Sequence, residues 1–181
     1  MPNIIFDEMR PGFLLRLLGK PTSTDVSRLR IWFERKEDVR PGVRVVLRAL
    51  AKQNGITLDF WYTSPSVLSA LSALGMATEN DTARDHPVEF DMSLESALPI
   101  VERLAFAPFG GWIGIPKSDL RGILSLASDL ERVTAMPEGG IMLVFSLYDR
   151  NIEIAAKASS KTALEDAISA TAESVGLVAS R

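Results

Sequence analysis

The stretch from Gly139 to Lys157 contains two consecutive runs in which apolar side chains recur at every second position. The first run has them at positions 141, 143, 145 and 147, and the second at 152, 154 and 156. A period of two puts such side chains on one face of a strand, so we predict a C-terminal β-hairpin with strands at about 141–148 and 152–157. Met142 and Val144 make the other face of the first strand apolar too, which favours a position inside the sheet.

The register of this hairpin follows from the faces of its strands. Pairing Leu147 with Ile152 puts the large apolar side chains of both strands on one side, whereas a one-residue slip would turn Glu153 toward the core. That pairing needs a loop of two or four residues. Asp149–Arg150 suits a two-residue type I′ turn poorly, because both of its central residues need positive φ. We therefore predict a four-residue loop from Tyr148 to Asn151.

The rest of the chain alternates between strand and helix patterns, which predicts a sheet and helices packed as layers. The hairpin requires at least one antiparallel pair, so we predict an α+β (or mixed α/β) fold, with a mixed sheet packed by several amphipathic helices. We expect one globular domain over 1–181, with a division near 76–87 as the alternative. The predicted strands are 4–6, 28–34, 56–62, 88–92 and 112–115, and the predicted helices are 41–54, 64–75, 97–105, 118–130 and 162–175.

Composition excludes several kinds of chemistry. The chain has no cysteine, which rules out disulfides, thiolate metal sites and cysteine nucleophiles. A single histidine, His86, rules out metal sites with several histidines in one chain. Asp85–His86 is the only neighbouring His–carboxylate pair, and no G-x-S-x-G motif supplies a nucleophile for it. We therefore expect no catalytic residues, metal or cofactor, and favour a protein that is not an enzyme.

Hydropathy gives an expectation about location. No apolar run approaches the roughly 20 residues that a membrane-spanning helix needs. The first residues include Asp7 and Glu8 where a signal peptide would carry positive charge. We expect a soluble cytoplasmic protein with no membrane association.

Basic residues are concentrated between Arg28 and Lys52. This stretch contains eight basic and three acidic residues, which gives a local net charge of +5. Four of the eight are spaced by four residues and would share one face of the helix at 41–54. No acidic residue lies four positions from Arg44 or Arg48, so pairing within the helix does not explain them. They are candidates for binding an anion, an acidic partner or RNA, the alternative being an ordinary solvated helix face. The four are Arg40, Arg44, Arg48 and Lys52.

Acidic residues are concentrated between Glu79 and Glu102. This stretch contains seven acidic residues and one arginine, which gives a local net charge of −6. This segment would dock a basic protein partner and accelerate its association, the alternative being a solubilising loop. The acidic spacing matches no calcium-binding loop. The candidate partner-binding residues, hereafter the acidic segment, are Glu79, Asp81, Asp85, Glu89, Asp91 and Glu95.

A glycine-rich stretch at 110–118 resembles a phosphate-binding loop only in part. Pro116 stands directly before Lys117, where the P-loop pattern requires glycine, and it removes an amide donor. Asp119 would also repel an anion from the start of the following helix. We expect turn and packing roles for these glycines. Trp61, Phe109 and Trp112 would form a contact patch if exposed together, and otherwise belong to the core.

These observations favour a binding protein that acts on a macromolecular partner, expected to be a protein, through its charged surfaces. An inhibitor or immunity-type protein that neutralises a toxin through its acidic segment is the concrete form of this hypothesis. The alternative is an enzyme or a nucleotide- or phosphate-dependent regulator with an arginine-rich anion site. A nucleic-acid partner has weaker support, because the net charge of the chain is −3. A third possibility is a structural subunit that self-associates through its aromatic residues.

Overall fold

A computed structural model of the protein describes residues 3–7, 26–51, 55–60, 69, 72–73, 79–81, 86–103 and 108–181. In this part of the chain the fold is α+β, with nine strands in one sheet and five helices of seven or more residues. The strands are β1 (Asn3–Asp7), β2 (Val26–Phe33), β3 (Ile56–Asp59), β4 (Glu79–Asp81), β5 (His86–Met92), β6 (Phe109–Ile113), β7 (Ile141–Ser146), β8 (Asn151–Lys157) and β9 (Val178–Ser180). The helices are α1 (Val39–Ala51), α2 (Leu94–Arg103), α3 (Lys117–Leu124), α4 (Asp129–Ala135) and α5 (Lys161–Ser174).

The strands lie in the order β4-β5-β3-β6-β7-β8-β2-β1-β9. Neighbouring described strands are antiparallel except β1 and β9, which are parallel and make the sheet mixed. The described strands on both sides of 76–87 belong to this one sheet, and the single-domain description stays a prediction. β7 lies between β6 and β8, which confirms that the first strand of the hairpin is inside the sheet.

The front face of the sheet, defined by Ile141, Leu143 and Phe145 of β7, packs against α1, α2 and α5. The apolar residues of α1 recur at helical spacing, and Val43, Val46 and Leu50 are all buried as the pattern predicted. The helix contacts both α5 and α2. This arrangement leaves one polar stripe of α1 facing outward.

The back face of the sheet, defined by Met142 and Val144, packs against α3 and α4 in a second, smaller core. Trp112 of β6 and Ala155 of β8 belong to this core. Toward β2 the back face becomes polar, with Arg30 opposite Glu153 of β8 and Arg28 opposite Ala155. The sheet therefore has an apolar and a polar region on the same side.

The hairpin forms with the predicted faces but with a different register. Phe145, and not Leu147, pairs with Ile152, and the four-residue loop runs from Leu147 to Arg150. The amide of Arg150 donates to the carbonyl of Leu147 over 3.1 Å, and the carbonyl of Arg150 accepts from the amide of Phe33 over 2.9 Å. Arg150 has φ of 57°. Because the shift is two residues, every side chain keeps its predicted face.

The predicted helix over 118–130 is wrong as one element, because the structure has two helices, α3 and α4. Ser128 caps α4, accepting from the amide of Glu131 over 3.2 Å, and the Glu131 carboxylate accepts from the amide of Ser128 over 3.0 Å. This reciprocal pair is a capping box, which starts a new helix. The guanidinium of Arg132 donates from Nε to the carbonyl oxygen of Leu126 over 3.1 Å in the intervening turn.

Two short strands escaped the sequence analysis. β4 lies where an exposed loop was expected, and β9 follows α5 after Gly176, whose φ is 74°. The spacing of Thr162 and Glu165 predicts a capping box at the start of α5, and this prediction is wrong because the helix starts earlier. The helix is capped by Ser160, whose hydroxyl accepts from the amide of Ala163 over 3.0 Å. Of the helix predicted at 64–75, residues 69, 72 and 73 are described and are helical, and the others lie outside the described residues.

Candidate functional surfaces

The acidic segment occupies one edge of the sheet and the helix next to it. β4 is the edge strand, and its Asp81 lies opposite His86 of β5. Glu95 lies in the first turn of α2 and is exposed. The backbone is described at four further positions, and their side chains are outside the description. Those four are Glu79, Asp81, Glu89 and Asp91, and Asp85 lies wholly outside the described residues.

The basic residues of α1 lie on its outward stripe. Arg40, Arg44 and Arg48 are all exposed, and Lys52 lies outside the described residues. Arg44 Nε lies 2.6 Å from Glu102 Oε1 of α2, and this hydrogen bond raises the pKa of Arg44 above its ordinary value. No ion pair joins Arg40 or Arg48 to another described residue. Within the described part of the chain the stripe therefore presents two cations without an ion pair, Arg40 and Arg48, and a third that pairs with the neighbouring helix.

Two other arginines of the basic stretch do not belong to this stripe, which the sequence could not show. Arg28 and Arg30 lie on the polar region of the back face, because alternate residues of β2 share a face. Arg30 Nη2 lies 2.7 Å from Glu153 Oε1, and its guanidinium carbon lies 5.1 Å from the centre of the Trp32 ring. Trp32 Nε1 donates to Asp7 Oδ2 over 3.1 Å. Trp32 therefore stacks with Arg30 and is held in place by Asp7.

A cleft of about 590 Å³ opens between β1 and the start of α5. Glu165 is buried at this cleft and pairs with two cations, Arg181 Nε over 2.8 Å and Lys161 Nζ over 3.6 Å. Its carboxylate therefore has its charge compensated within the chain. The lining residues are Ile5, Phe6, Asp7, Lys161, Thr162, Glu165 and Arg181.

The glycine-rich stretch serves packing, as expected. Gly110 and Gly111 lie within β6, and a Cβ on Gly111 would lie 2.8 Å from Cε2 of Phe145. Only a hydrogen fits at that position, because the aromatic ring is buried against the strand. Gly114 has φ of 72°, in the region that favours glycine. No phosphate loop is formed by these glycines.

Aromatic residues divide between core and surface. Phe109 and Trp112 are buried, and Trp61 lies outside the described residues, so the described part of the chain has no exposed patch built from these residues. Tyr148 is 84% exposed at the hairpin tip. Its position in the loop follows from the hairpin pattern, but sequence reasoning treated it only as a loop residue.

The described residues form neither a metal-binding cluster nor a membrane-spanning helix. They contain no group of three or more His, Cys, Asp or Glu side chains that could hold a metal ion. None of their helices has both the length and the apolar character needed to cross a membrane. Asp85 and the side chain of His86, the neighbouring carboxylate and histidine noted in the sequence, fall outside the described residues.

Comparisons of the chain with protein-family models, with curated proteins and with solved structures find no match. By its fold, the described part of the chain belongs to the α+β class and contains a nine-stranded mixed sheet. Its charged surfaces are the candidate functional sites.

Proposed function

We propose that this protein is a non-enzymatic binding protein that acts on a macromolecular partner through its charged surfaces, with the acidic segment contacting a basic protein. The observation that carries the proposal is the position of the acidic segment. Residues separated along the chain are brought to one edge of the sheet by the pairing of β4 with β5 and by the direct passage of β5 into α2. One partner could contact this edge along β4 and the start of α2.

The chemistry of this edge suits a cationic partner. Glu95 is exposed, and a carboxylate in the first turn of a helix is also stabilised there by the helix dipole. Like charges gathered on one surface attract a partner of the opposite sign and raise its rate of association. An immunity-type role follows from the same chemistry, because a toxin that binds nucleic acid presents a basic surface which an acidic protein would cover.

The test begins with capture of a basic partner from native cells and measurement of its Kd at low and high salt. We expect the affinity to fall with rising salt, and Glu95→Lys to weaken binding at least tenfold at low salt. The matched control is Glu173→Lys, which makes the same change of charge at an exposed position of α5. Binding that ignores salt, or that weakens equally in both variants, would refute the proposal.

A second candidate function is supported by the outward stripe of α1. Arg40 and Arg48 are exposed and have no ion pair with another described residue, which suits recognition of a phosphorylated ligand or an acidic partner. Thermal unfolding with a panel of nucleotides and phosphorylated metabolites tests this candidate. A stabilisation that disappears in Arg44→Ala and in Arg48→Ala would favour it over the acidic segment. Equal stabilisation of both variants and the unmodified protein would exclude the stripe.

A further inference from the structure

Three guanidinium nitrogens on the back face of β2 are buried and have no hydrogen-bond acceptor among the described residues. They are Nε and Nη1 of Arg28 and Nε of Arg30. Buried donors in folded proteins nearly always have a partner, because losing water without replacement is unfavourable. The cost rises further when the donor carries charge. Three such donors on two neighbouring side chains therefore call for an acceptor at this place.

The two side chains are arranged to share one acceptor. Arg28 and Arg30 occupy alternate positions of β2, so their Cα atoms lie about 6.6 Å apart on the same face. Opposite Arg28 stands Ala155 of β8, a small apolar side chain that offers no hydrogen-bond acceptor. Arg30 is fixed in place, since Glu153 binds its Nη2 and the Trp32 ring lies beneath it. The site is thus organised before any ligand arrives.

The neighbouring acidic groups already have partners other than Arg28. Glu153 pairs with Arg30, and Asp7 accepts from Trp32, whereas no ion pair joins Arg28 to a described residue. Burial lowers the pKa of Arg28, as expected for a cation that has lost water without gaining an anion. Arg132 shows the contrasting case, because this buried arginine donates to backbone carbonyls from Nε and Nη2. Arg132 thus has acceptors for Nε and Nη2 and an anion 3.6 Å from Nη1, whereas Nε and Nη1 of Arg28 have no acceptor among the described residues.

We propose that Arg28 and Arg30 form a binding site for a phosphate group, either free phosphate or a small phosphate ester, on the polar region of the back face. A phosphate presents several oxygens to different sides, which suits three donors from two side chains better than a planar carboxylate does. The half-buried state of Arg28 leaves the site an approach from solvent. The site is separate from the stripe of α1 and does not depend on the function proposed above.

The first experiment measures thermal unfolding in inorganic phosphate and in chloride at equal ionic strength. We expect phosphate to raise Tm by several degrees, and Arg28→Met to abolish this rise. The charge-matched control, Arg121→Met, removes an exposed cation from α3 and should keep the rise. Arg28→Lys, which keeps the charge but loses the planar donors, should keep only part of it.

A second measurement guards against a variant that simply folds poorly. Without phosphate, Arg28→Met should unfold at or above the temperature of the unmodified protein, because the change removes two unsatisfied donors. By calorimetry, the Kd for phosphate should rise at least tenfold in this variant. A variant that loses stability yet keeps its phosphate response would show that Arg28 is structural and overturn the proposal.

Further ligands identify the phosphate source. Tighter binding of glycerol phosphate than of inorganic phosphate assigns the site to an ester, the reverse order assigns it to the free ion, and both orders support the site. An equal response to acetate overturns it, as does the absence of any response. Loss of the response in Arg48→Ala but not in Arg28→Met would place the anion on α1 and overturn this proposal in favour of the second candidate function.

Discussion

The guanidinium of Arg132, in α4, donates from Nη2 to the carbonyl oxygen of Leu124, the last residue of α3. The same nitrogen also donates to the carbonyl of Leu126 over 3.0 Å. The last carbonyls of a helix have no partner within it, so Arg132 closes the end of α3 from the following helix. One buried side chain thus holds two helices on the back face in a fixed relation.

Replacing this arginine should be strongly destabilising. We expect Arg132→Met to lower the free energy of unfolding by about 3 kcal/mol, because it leaves buried carbonyls without donors and Asp129 without its cation, 3.6 Å away. Chemical denaturation measures the change. Arg48→Met, at an exposed position of α1, is the control and should cost under about 0.5 kcal/mol. Similar losses in the two variants would contradict the capping role of Arg132.

Two glycines should respond in opposite ways to the same substitution. A Cβ on Gly42 of α1 would lie 2.2 Å from Cε1 of the buried Phe33 ring, so Gly42→Ala should destabilise the protein by about 1–3 kcal/mol. A Cβ on Gly122 of α3 would meet nothing within 4 Å, so Gly122→Ala should stabilise it by about 0.5–1 kcal/mol through helix propensity. Thermal unfolding of both variants checks the signs. A stable Gly42→Ala protein would mean that α1 packs less closely on β2.

Two alanines, Ala158 and Ala170, should respond in opposite ways to replacement by glycine. Ala158 has φ of 57°, a left-handed conformation that costs a side chain about 1–2 kcal/mol. Gly relieves that cost but adds freedom to the unfolded chain, so Ala158→Gly should stabilise the protein by about 0.5 kcal/mol. Ala170→Gly, at an exposed position inside α5, should destabilise it by about 1 kcal/mol. If both changes destabilised the protein, Ala158 would not have the left-handed conformation described for the turn after β8.

The buried carboxylate of Glu165 should contribute more to stability than the exposed carboxylate of Asp166. Glu165→Ala leaves Lys161 and Arg181 without their shared anion at the cleft, and we expect a loss of about 1–3 kcal/mol. Asp166→Ala, on the exposed side of the same turn, should change stability by less than about 0.5 kcal/mol. Urea denaturation gives both values. If Glu165→Ala left the stability unchanged, the ion pairs of Glu165 would only offset the cost of burying its carboxylate.

The sequence predicted those parts of the fold that local periodicity determines. The alternation in β7 and β8 identified both strands and their faces, and the spacing of Val43, Val46 and Leu50 identified the buried side of α1. The register of the hairpin was missed because contacts with β2 fix it, through Arg150 and Phe33, and no pattern within the hairpin records them. The three-residue strands β4 and β9 were missed because such short segments have no measurable period.

The candidate surfaces were predictable only as charge along the chain. The spacing of Arg40, Arg44 and Arg48 correctly placed three cations on one exposed stripe. The pairing of Arg44 with Glu102, and that of Arg30 with Glu153, joins residues far apart in sequence, so it needed the tertiary fold. Counting charges also grouped Arg28 and Arg30 with α1, whereas the strand directs them to the opposite side of the sheet.

β7 is enclosed by the front core on one side and by the back core on the other, and it has a paired strand along each edge. Solvent can reach its amide protons only when helices on both faces separate and the flanking strands part together. Deuterium should therefore enter β7 at the slowest rate in the described chain, and that rate should track the free energy of complete unfolding.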